Sequence, residues 1–284
     1  MLLATLAALA GCSAAAPVDS GRTHSGRSGE ATVSESFYVS PGAPIVHASA
    51  AAPASMAPTW APLEVEGFLP SVVVVPPDDG RMRPLLIATH GAGGTPEAHC
   101  ERWLSLVGTR AFILCTRGRE TDRFLPPDQR GYFYDGHIEL GKEVVRAVAA
   151  LDVGYKGRVD SKGAVFAGYS QGASMGALFI HERREHAAMF SRIILVEGGA
   201  KEWTVAAAER LHDVGARVAI FCGQAFCDAS ARSSLKWMQR SGLDARTFYA
   251  PGAGHTYGGD VGTQVEAARR WLFAGDPRWL PAFD

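Results

Sequence analysis

Ser170 stands in the run Gly168-Tyr169-Ser170-Gln171-Gly172, after the apolar segment Ala164–Ala167 and at the head of the helical stretch Gly172–Met189. A serine hydroxyl is a weak nucleophile until a base takes its proton. A tight strand-to-helix turn helps further. It lifts the hydroxyl clear of the sheet and aims the next backbone N–H, that of Gln171, and the helix N-terminus at an oxygen where negative charge collects. Side chains at the flanking positions of such a turn would clash, which accounts for Gly168 and Gly172, with small Ala173 next. The base that fits is His255. Of nine histidines it alone lies downstream of Ser170 in a glycine-rich loop, Gly252-Ala253-Gly254-His255-Thr256-Tyr257, between a strand and the last helix. A general base must be presented within reach of the proton it removes. His24 and His47 lie in a low-complexity N-terminal stretch, His181, His186 and His212 read as helical and solvated, and His99 and His137 fall near helix starts.

An imidazole base works best with an acid that holds its tautomer and stabilises its charged form. Asp228 is the first candidate. It follows the strand Val218–Cys222 by the short loop Gly223-Gln224-Ala225-Phe226-Cys227. Glu197, which ends the strand Ile193–Val196, competes with it, and Asp244 and Asp260 are further carboxylates. A second glycine-rich turn, His90-Gly91-Ala92-Gly93-Gly94, directly follows the strand Leu85–Thr89. Such a turn lets backbone N–H groups come close to an oxyanion. His90 itself reads as structural.

The elements that must position these residues are legible as alternation. Apolar runs occur at Val72–Val75, Leu85–Thr89, Ala111–Cys115, Ala164–Ala167, Ile193–Val196, Val218–Cys222 and Thr247–Ala250. Most are near-continuous, as expected of strands covered on both faces. Helical stretches lie between the later runs. Leu140, Val144, Val148 and Leu151 share one helical face, Thr263–Phe273 reads as the last helix, and Thr95 before Pro96 and Glu97 marks a helix start. This predicts an α/β fold with a mostly parallel central sheet and helices on both faces. In such sheets, sites form in the loops at the carboxyl ends of the strands.

Taken together, the motifs resemble the α/β-hydrolase superfamily from about Val72 to Phe273. The His90–Gly94 turn and Gly168-Tyr169-Ser170-Gln171-Gly172 are similar to those of its dienelactone-hydrolase, carboxylesterase and polyhydroxybutyrate-depolymerase-like branches. The resemblance implies the chain order Ser170, Asp228, His255 for a catalytic triad, and an oxyanion hole formed by the amides of Ala92 and Gln171. It implies cleavage of a small-molecule or polymeric carboxylic ester through an acyl-enzyme, with no metal and no cofactor. A peptidase of the same fold is one alternative, and a non-catalytic binding lipoprotein on a hydrolase scaffold is another. Arg117–His137, the least regular part of the domain, lies on the active-site edge, and its Tyr132, Phe133 and Tyr134 are candidates to line a substrate pocket.

Composition bounds the rest. The chain has 284 residues and a formal charge of -1, with no long basic run, which argues against nucleic acid as a partner. Leu2–Ala10 is apolar apart from Thr5, too short for a membrane span and suited to a secretory signal. Leu9-Ala10-Gly11-Cys12 resembles the bacterial lipobox, whose cysteine is lipidated. Residues 1–12 then form a lipoprotein signal, 13–59 a flexible tether rich in Ala, Ser, Pro and Gly, and 60–284 the hydrolase domain. Met1-Leu2-Leu3 lacks the basic residue that usually opens such a signal, which leaves room for a start further upstream. The resemblance to bacterial lipoproteins implies that Ser13 after Cys12 directs the chain to the outer membrane rather than the inner one, so the expected location is the cell envelope, lipid-anchored or secreted. Without Cys12, four cysteines remain for an oxidising compartment. Cys222 and Cys227 are close enough to close a small loop, leaving Cys100 with Cys115, one of three possible connectivities. Replacing Cys12 with Ser should remove the acyl chains and shift the protein from the detergent phase to the aqueous phase in detergent partitioning; an unchanged partition would rule out the anchor.

Overall fold

The computed structural model describes residues 57–279, apart from Arg123, Pro127 and Asp128; the signal, Cys12 and nearly all of the stretch read as a tether lie outside the described residues. The chain runs β1 (Thr59–Leu63), β2 (Ser71–Val75), β3 (Arg83–Thr89), α1 (Pro96–Val107), β4 (Phe112–Cys115), β5 (Arg119–Glu120) and β6 (Tyr132–Phe133). It continues with α2 (His137–Gly154), β7 (Val159–Tyr169), α3 (Gln171–Glu182), α4 (Arg184–Ala188), β8 (Phe190–Val196), α5 (Val205–Asp213), β9 (Arg217–Cys222), α6 (Ala225–Arg240), β10 (Asp244–Tyr249) and α7 (Gly259–Phe273). Eight strands form one sheet in the order β1-β2-β4-β3-β7-β8-β9-β10. Only β1–β2 and β2–β4 pair antiparallel; the other neighbours are parallel. The short β5 and β6 form a separate antiparallel ribbon.

Each apolar run of the sequence overlaps a strand of this sheet, and its alternate residues face opposite ways. Val73, Leu85, Ile87, Phe166 and Ile193 enter a core beneath α2, α3, α5 and α6. Val72, Leu86, Ile113, Val165 and Ile194 enter a second core beneath α1 and α7. Burial on both faces explains why these strands lack the polar–apolar alternation of a one-sided sheet. β1 escaped the sequence reading because it is an edge strand, largely exposed and interrupted by Pro62. An edge tolerates a residue that cannot donate to the ladder. The expected helix Gly172–Met189 is two helices, broken at Arg183, whose backbone is extended. Thr95 caps α1 as its position suggested, its hydroxyl accepting from Ala98 N.

Register sets the level of the sheet's carboxyl edge. Thr89 is opposite Gly168, Tyr169 opposite Val196, Val196 opposite Phe221, and Cys222 opposite Tyr249. Five strands therefore end side by side, and their loops open in one place.

Helix α3 packs tightly on the strand that precedes it. A Cβ on Gly176 would lie 2.1 Å from Cζ of the buried Phe166. In an exposed helix, Gly→Ala stabilises by about 1 kcal/mol. Here Gly176→Ala should destabilise by about 1–3 kcal/mol, because the ring has no room to withdraw. The midpoint of urea unfolding gives the sign directly.

Candidate active site

Ser170 leaves β7 with φ 51° and ψ -115° and forms the N-cap of α3. Among the described residues, the non-glycine residues with positive φ are Ser170 and Glu197. Positive φ costs a residue with a Cβ about 1–3 kcal/mol, so such positions persist only where the surroundings impose them. Here the ladder continues past the strand ends: Ser170 N donates to Val196 O at 2.8 Å, and Glu197 N to Phe221 O at 2.9 Å. Close approach then dictates the neighbours. A Cβ on Gly172 would stand 2.4 Å from Thr89 O, and one on Gly198 would stand 2.3 Å from Ser170 O.

The loop after β10 brings His255 Nε2 to 2.8 Å from Ser170 Oγ. Tyr169 fixes that loop by donating its hydroxyl to His255 O at 2.9 Å. Its ring also lies 5.3 Å from the imidazole and 4.3 Å from Tyr257. Tyr257 meets His99, and His99 meets Trp103, so an aromatic chain ties the loop to α1. Nε2 accepts the Ser170 proton only if Nδ1 carries the ring's own proton. Two oxygens face Nδ1: Gln224 Oε1 at 3.1 Å and Glu197 Oε2 at 3.4 Å.

The carboxylate facing the imidazole is thus that of Glu197, whereas Asp228, the first candidate in the sequence, makes its ion pair elsewhere. The stretch after Cys222 is not a loop as far as Asp228: α6 begins at Ala225 and puts Asp228 in its first turn. There the carboxylate pairs with Arg232 at 2.8 Å, one turn on, where the helix N-terminus also favours it. Asp244 pairs with Arg217 beside the start of β10, and Asp260 is an exposed residue at the start of α7. The Glu197 side chain is fully buried. Its Oε1 accepts the amides of Gly223 and Gln224, while Oε2 has no hydrogen-bond partner among the described residues. A signal for Glu197 was present in Val196-Glu197-Gly198-Gly199, a glycine pair directly after a buried strand. Gln224 was not singled out as a site residue at all.

The turn after β3 is propped from the ribbon side. Gly93 N donates to Tyr132 O at 2.8 Å, and Tyr132 N to Gly94 O at 2.9 Å. Tyr134 stacks on His90 at 4.8 Å, and its backbone N and O are clasped by the Gln171 side-chain amide at 3.0 and 3.1 Å. Tyr132 and Tyr134 are buried, so these aromatics serve the turn itself, while Phe133 and Tyr134 line a cavity of about 410 Å³ beside it. Burial pushes the His90 imidazole below its ordinary value, in keeping with the structural role read for it. Among the described residues, the amides of Ala92 and Gln171 have no acceptor, and they sit on the turns that flank Ser170. His181 is buried rather than solvated, and its Nε2 donates to Glu202 O at 2.7 Å. The described residues include no cluster of three or more His, Cys, Asp or Glu side chains suited to a metal.

No family model matches the chain, and neither does any curated protein sequence. Solved structures do match. One is an uncharacterized protein from Bacillus cereus, at 16% identity and a TM-score of 0.54, over 69% of this chain and 61% of that one. A second is a hyperthermophilic esterase from the archaeon Pyrobaculum calidifontis, at 15% identity and a TM-score of 0.54, over 76% of this chain and 85% of that one. A third is a dienelactone hydrolase-like promiscuous phosphotriesterase from metagenomic libraries, at 17% identity and a TM-score of 0.53, over 76% and 95%. The likeness is one of fold: a mostly parallel central sheet with helices on both faces, as in α/β-hydrolases.

The aromatic chain leaves a pH signature. His99 is fully buried, and its Nε2 accepts from Trp103 Nε1 at 3.0 Å. Burial holds its pKa down at about 3, against an ordinary 6.5. The unfolded chain therefore binds the extra proton between these values and the folded chain does not. Stability from this source is complete above about pH 6.5 and is lost as the pH falls towards about 3. His99→Phe should flatten the fall of the melting temperature across that window; an unchanged slope would assign the fall to other groups.

Proposed function

We propose that this protein is a serine hydrolase that cleaves carboxylic esters through an acyl-enzyme, with Ser170 as nucleophile, His255 as general base and acid, and Glu197 as the acid of the triad. The observation that carries the reading is the 2.8 Å contact between Ser170 Oγ and His255 Nε2, made at a strained turn and backed by a buried carboxylate. As Oγ bonds to the ester carbonyl carbon, its proton passes to Nε2 and the carbonyl electron pair moves onto oxygen. The amides of Ala92 and Gln171 are the donors for that oxyanion, aided by the N-terminus of α3. Collapse expels the alcohol, which takes the proton from Nε2. Water then repeats the sequence and releases the acid. Glu197 offsets the charge of the imidazolium as it forms.

The esterase among the structural neighbours supports ester hydrolysis at the level of fold. We also propose that the enzyme works in the cell envelope on a lipid anchor at Cys12. The two disulfides, Cys100–Cys115 and Cys222–Cys227, support an oxidising compartment.

Release of p-nitrophenol from short acyl esters tests the reading. Ser170→Ala should abolish turnover and labelling by a fluorophosphonate probe. Glu197→Gln should lower kcat by about 10²–10⁴-fold, as loss of a triad acid does. Asp228→Asn should leave kcat within a few-fold of wild type. Should Asp228→Asn be the crippled variant and Glu197→Gln the active one, the triad assignment is wrong.

A further inference from the structure

The imidazole has two acceptors competing for one proton, and they are not alike. Gln224 Oε1 is neutral and is the one within hydrogen-bond distance of Nδ1, at 3.1 Å. Glu197 Oε2 is charged, buried, 3.4 Å away, and free of any hydrogen bond among the described residues. The amide must present its oxygen here, because Nδ1 is a donor whenever Nε2 accepts from Ser170. Gln224 is also tied to the same carboxylate by its backbone, since Gln224 N donates to Glu197 Oε1 at 3.2 Å. It sits in the corner between β9 and α6 that the Cys222–Cys227 disulfide closes.

We infer that Gln224 is a positioning residue for the reaction proposed above: its Oε1 holds the Nδ1 proton of His255 in the resting site, leaving Glu197 Oε2 to engage fully only when the imidazolium forms. This inference rests on the serine hydrolase reading. An interaction that strengthens only as charge develops lowers the barrier, whereas one already complete at rest does not. The neutral amide fixes the tautomer and the ring plane without drawing the proton off. The carboxylate, with Oε1 already occupied by two backbone amides, has one oxygen in reserve for the charged ring. As the Ser170 proton moves to Nε2 and Oγ bonds to the carbonyl carbon, the positive charge spreads over both ring nitrogens and meets Oε2. Tyr169, the other titratable side chain against this ring, has its phenol pushed up to about 12, chiefly by burial, with Tyr257 and Glu197 adding to it. It stays neutral through the working pH range.

Moving the charge from one acceptor to the other provides the test. Wild type, Glu197→Gln, Gln224→Glu and the double variant are prepared as the full chain and compared for kcat, KM, pH profile, melting temperature and fluorophosphonate labelling. Glu197→Gln loses activity. Adding Gln224→Glu should restore at least ~10-fold of the lost kcat at little change in KM, because the negative charge again faces Nδ1. Gln224→Glu alone should move the acid limb of kcat/KM up by about 0.5–1 pH unit, as a second carboxylate against the ring favours the imidazolium. A double variant that melts like Glu197→Gln but is no more active overturns the inference. If the double variant does not fold, the single variant decides: a limb that stays in place overturns the inference as well. A wild type that is folded yet unlabelled at Ser170 is a different result, because it removes the hydrolase reading and this inference with it.

Discussion

Two residues with a Cβ hold positive φ at the ends of neighbouring parallel strands, and the candidate site depends on that pair. Ser170 ends β7 and Glu197 ends β8. Each is pinned by donating its backbone N–H to the strand beside it, Ser170 to Val196 and Glu197 to Phe221. The strain, about 1–3 kcal/mol per residue, is sustained by a sheet that is buried on both faces and cannot yield locally. In return, two side chains that would otherwise follow the pleat are turned out of the sheet towards a common point. The third member, His255, comes from a loop and needs no such strain. Tyr169, next to Ser170 in sequence, holds that loop through its hydroxyl.

Buried charge is managed by the same geometry. Burying a carboxylate fully out of water is costly unless donors meet it. Glu197 Oε1 is met by the amides of Gly223 and Gln224, which open the corner leading into α6. The positive end of that helix adds to the favourable field. On the far side of Ser170, the turn after β3 has no charge of its own to place. It is held by backbone pairing with Tyr132 and by His90 stacked on Tyr134, and the Gln171 side chain joins it to the head of α3. Gln171 thus works twice: its side chain ties the two turns together, while its backbone amide, without an acceptor among the described residues, lies beside Ser170.

Much of this was legible in the sequence because strand, turn and glycine chemistry are local. The apolar runs located the inner strands, and Gly168-Tyr169-Ser170-Gln171-Gly172 located the strained turn, since only glycine fits at Gly172 against Thr89 O. His255 could be read because its loop is glycine-rich and follows a strand. The acid could not be settled the same way. Asp228 lies after the right strand, but whether Ala225 opens a loop or a helix depends on tertiary packing, and one turn of helix carries Asp228 towards Arg232 instead. Glu197 is placed by its φ and by hydrogen bonds to residues 26 and 27 positions away. No periodicity in the chain encodes those contacts. Tyr132 read as a substrate wall because aromatics near a site usually are one; its burial under the glycine turn is a packing outcome.

The corner between β9 and α6 is where a disulfide meets the candidate site. It must present three groups at once: two backbone amides to Glu197 and a side-chain oxygen to His255. A short corner does this only if its backbone is fixed, and fixing a loop otherwise costs about 1–2 kcal/mol of chain entropy per residue. The Cys222–Cys227 bridge spans a sequence separation of 5 and removes part of that freedom from the unfolded chain. Glu197 can therefore lie buried at a strand end with the imidazole of His255 as its charge partner, because the corner delivers its amide donors ready-made. In a reducing environment the bridge would open and the corner would have to be ordered by packing alone, with Phe226 beside it largely exposed and contributing little. The precision of the Nδ1 contacts would then fall before the fold as a whole did. The Cys222–Cys227 bridge is in this sense part of how the site is built.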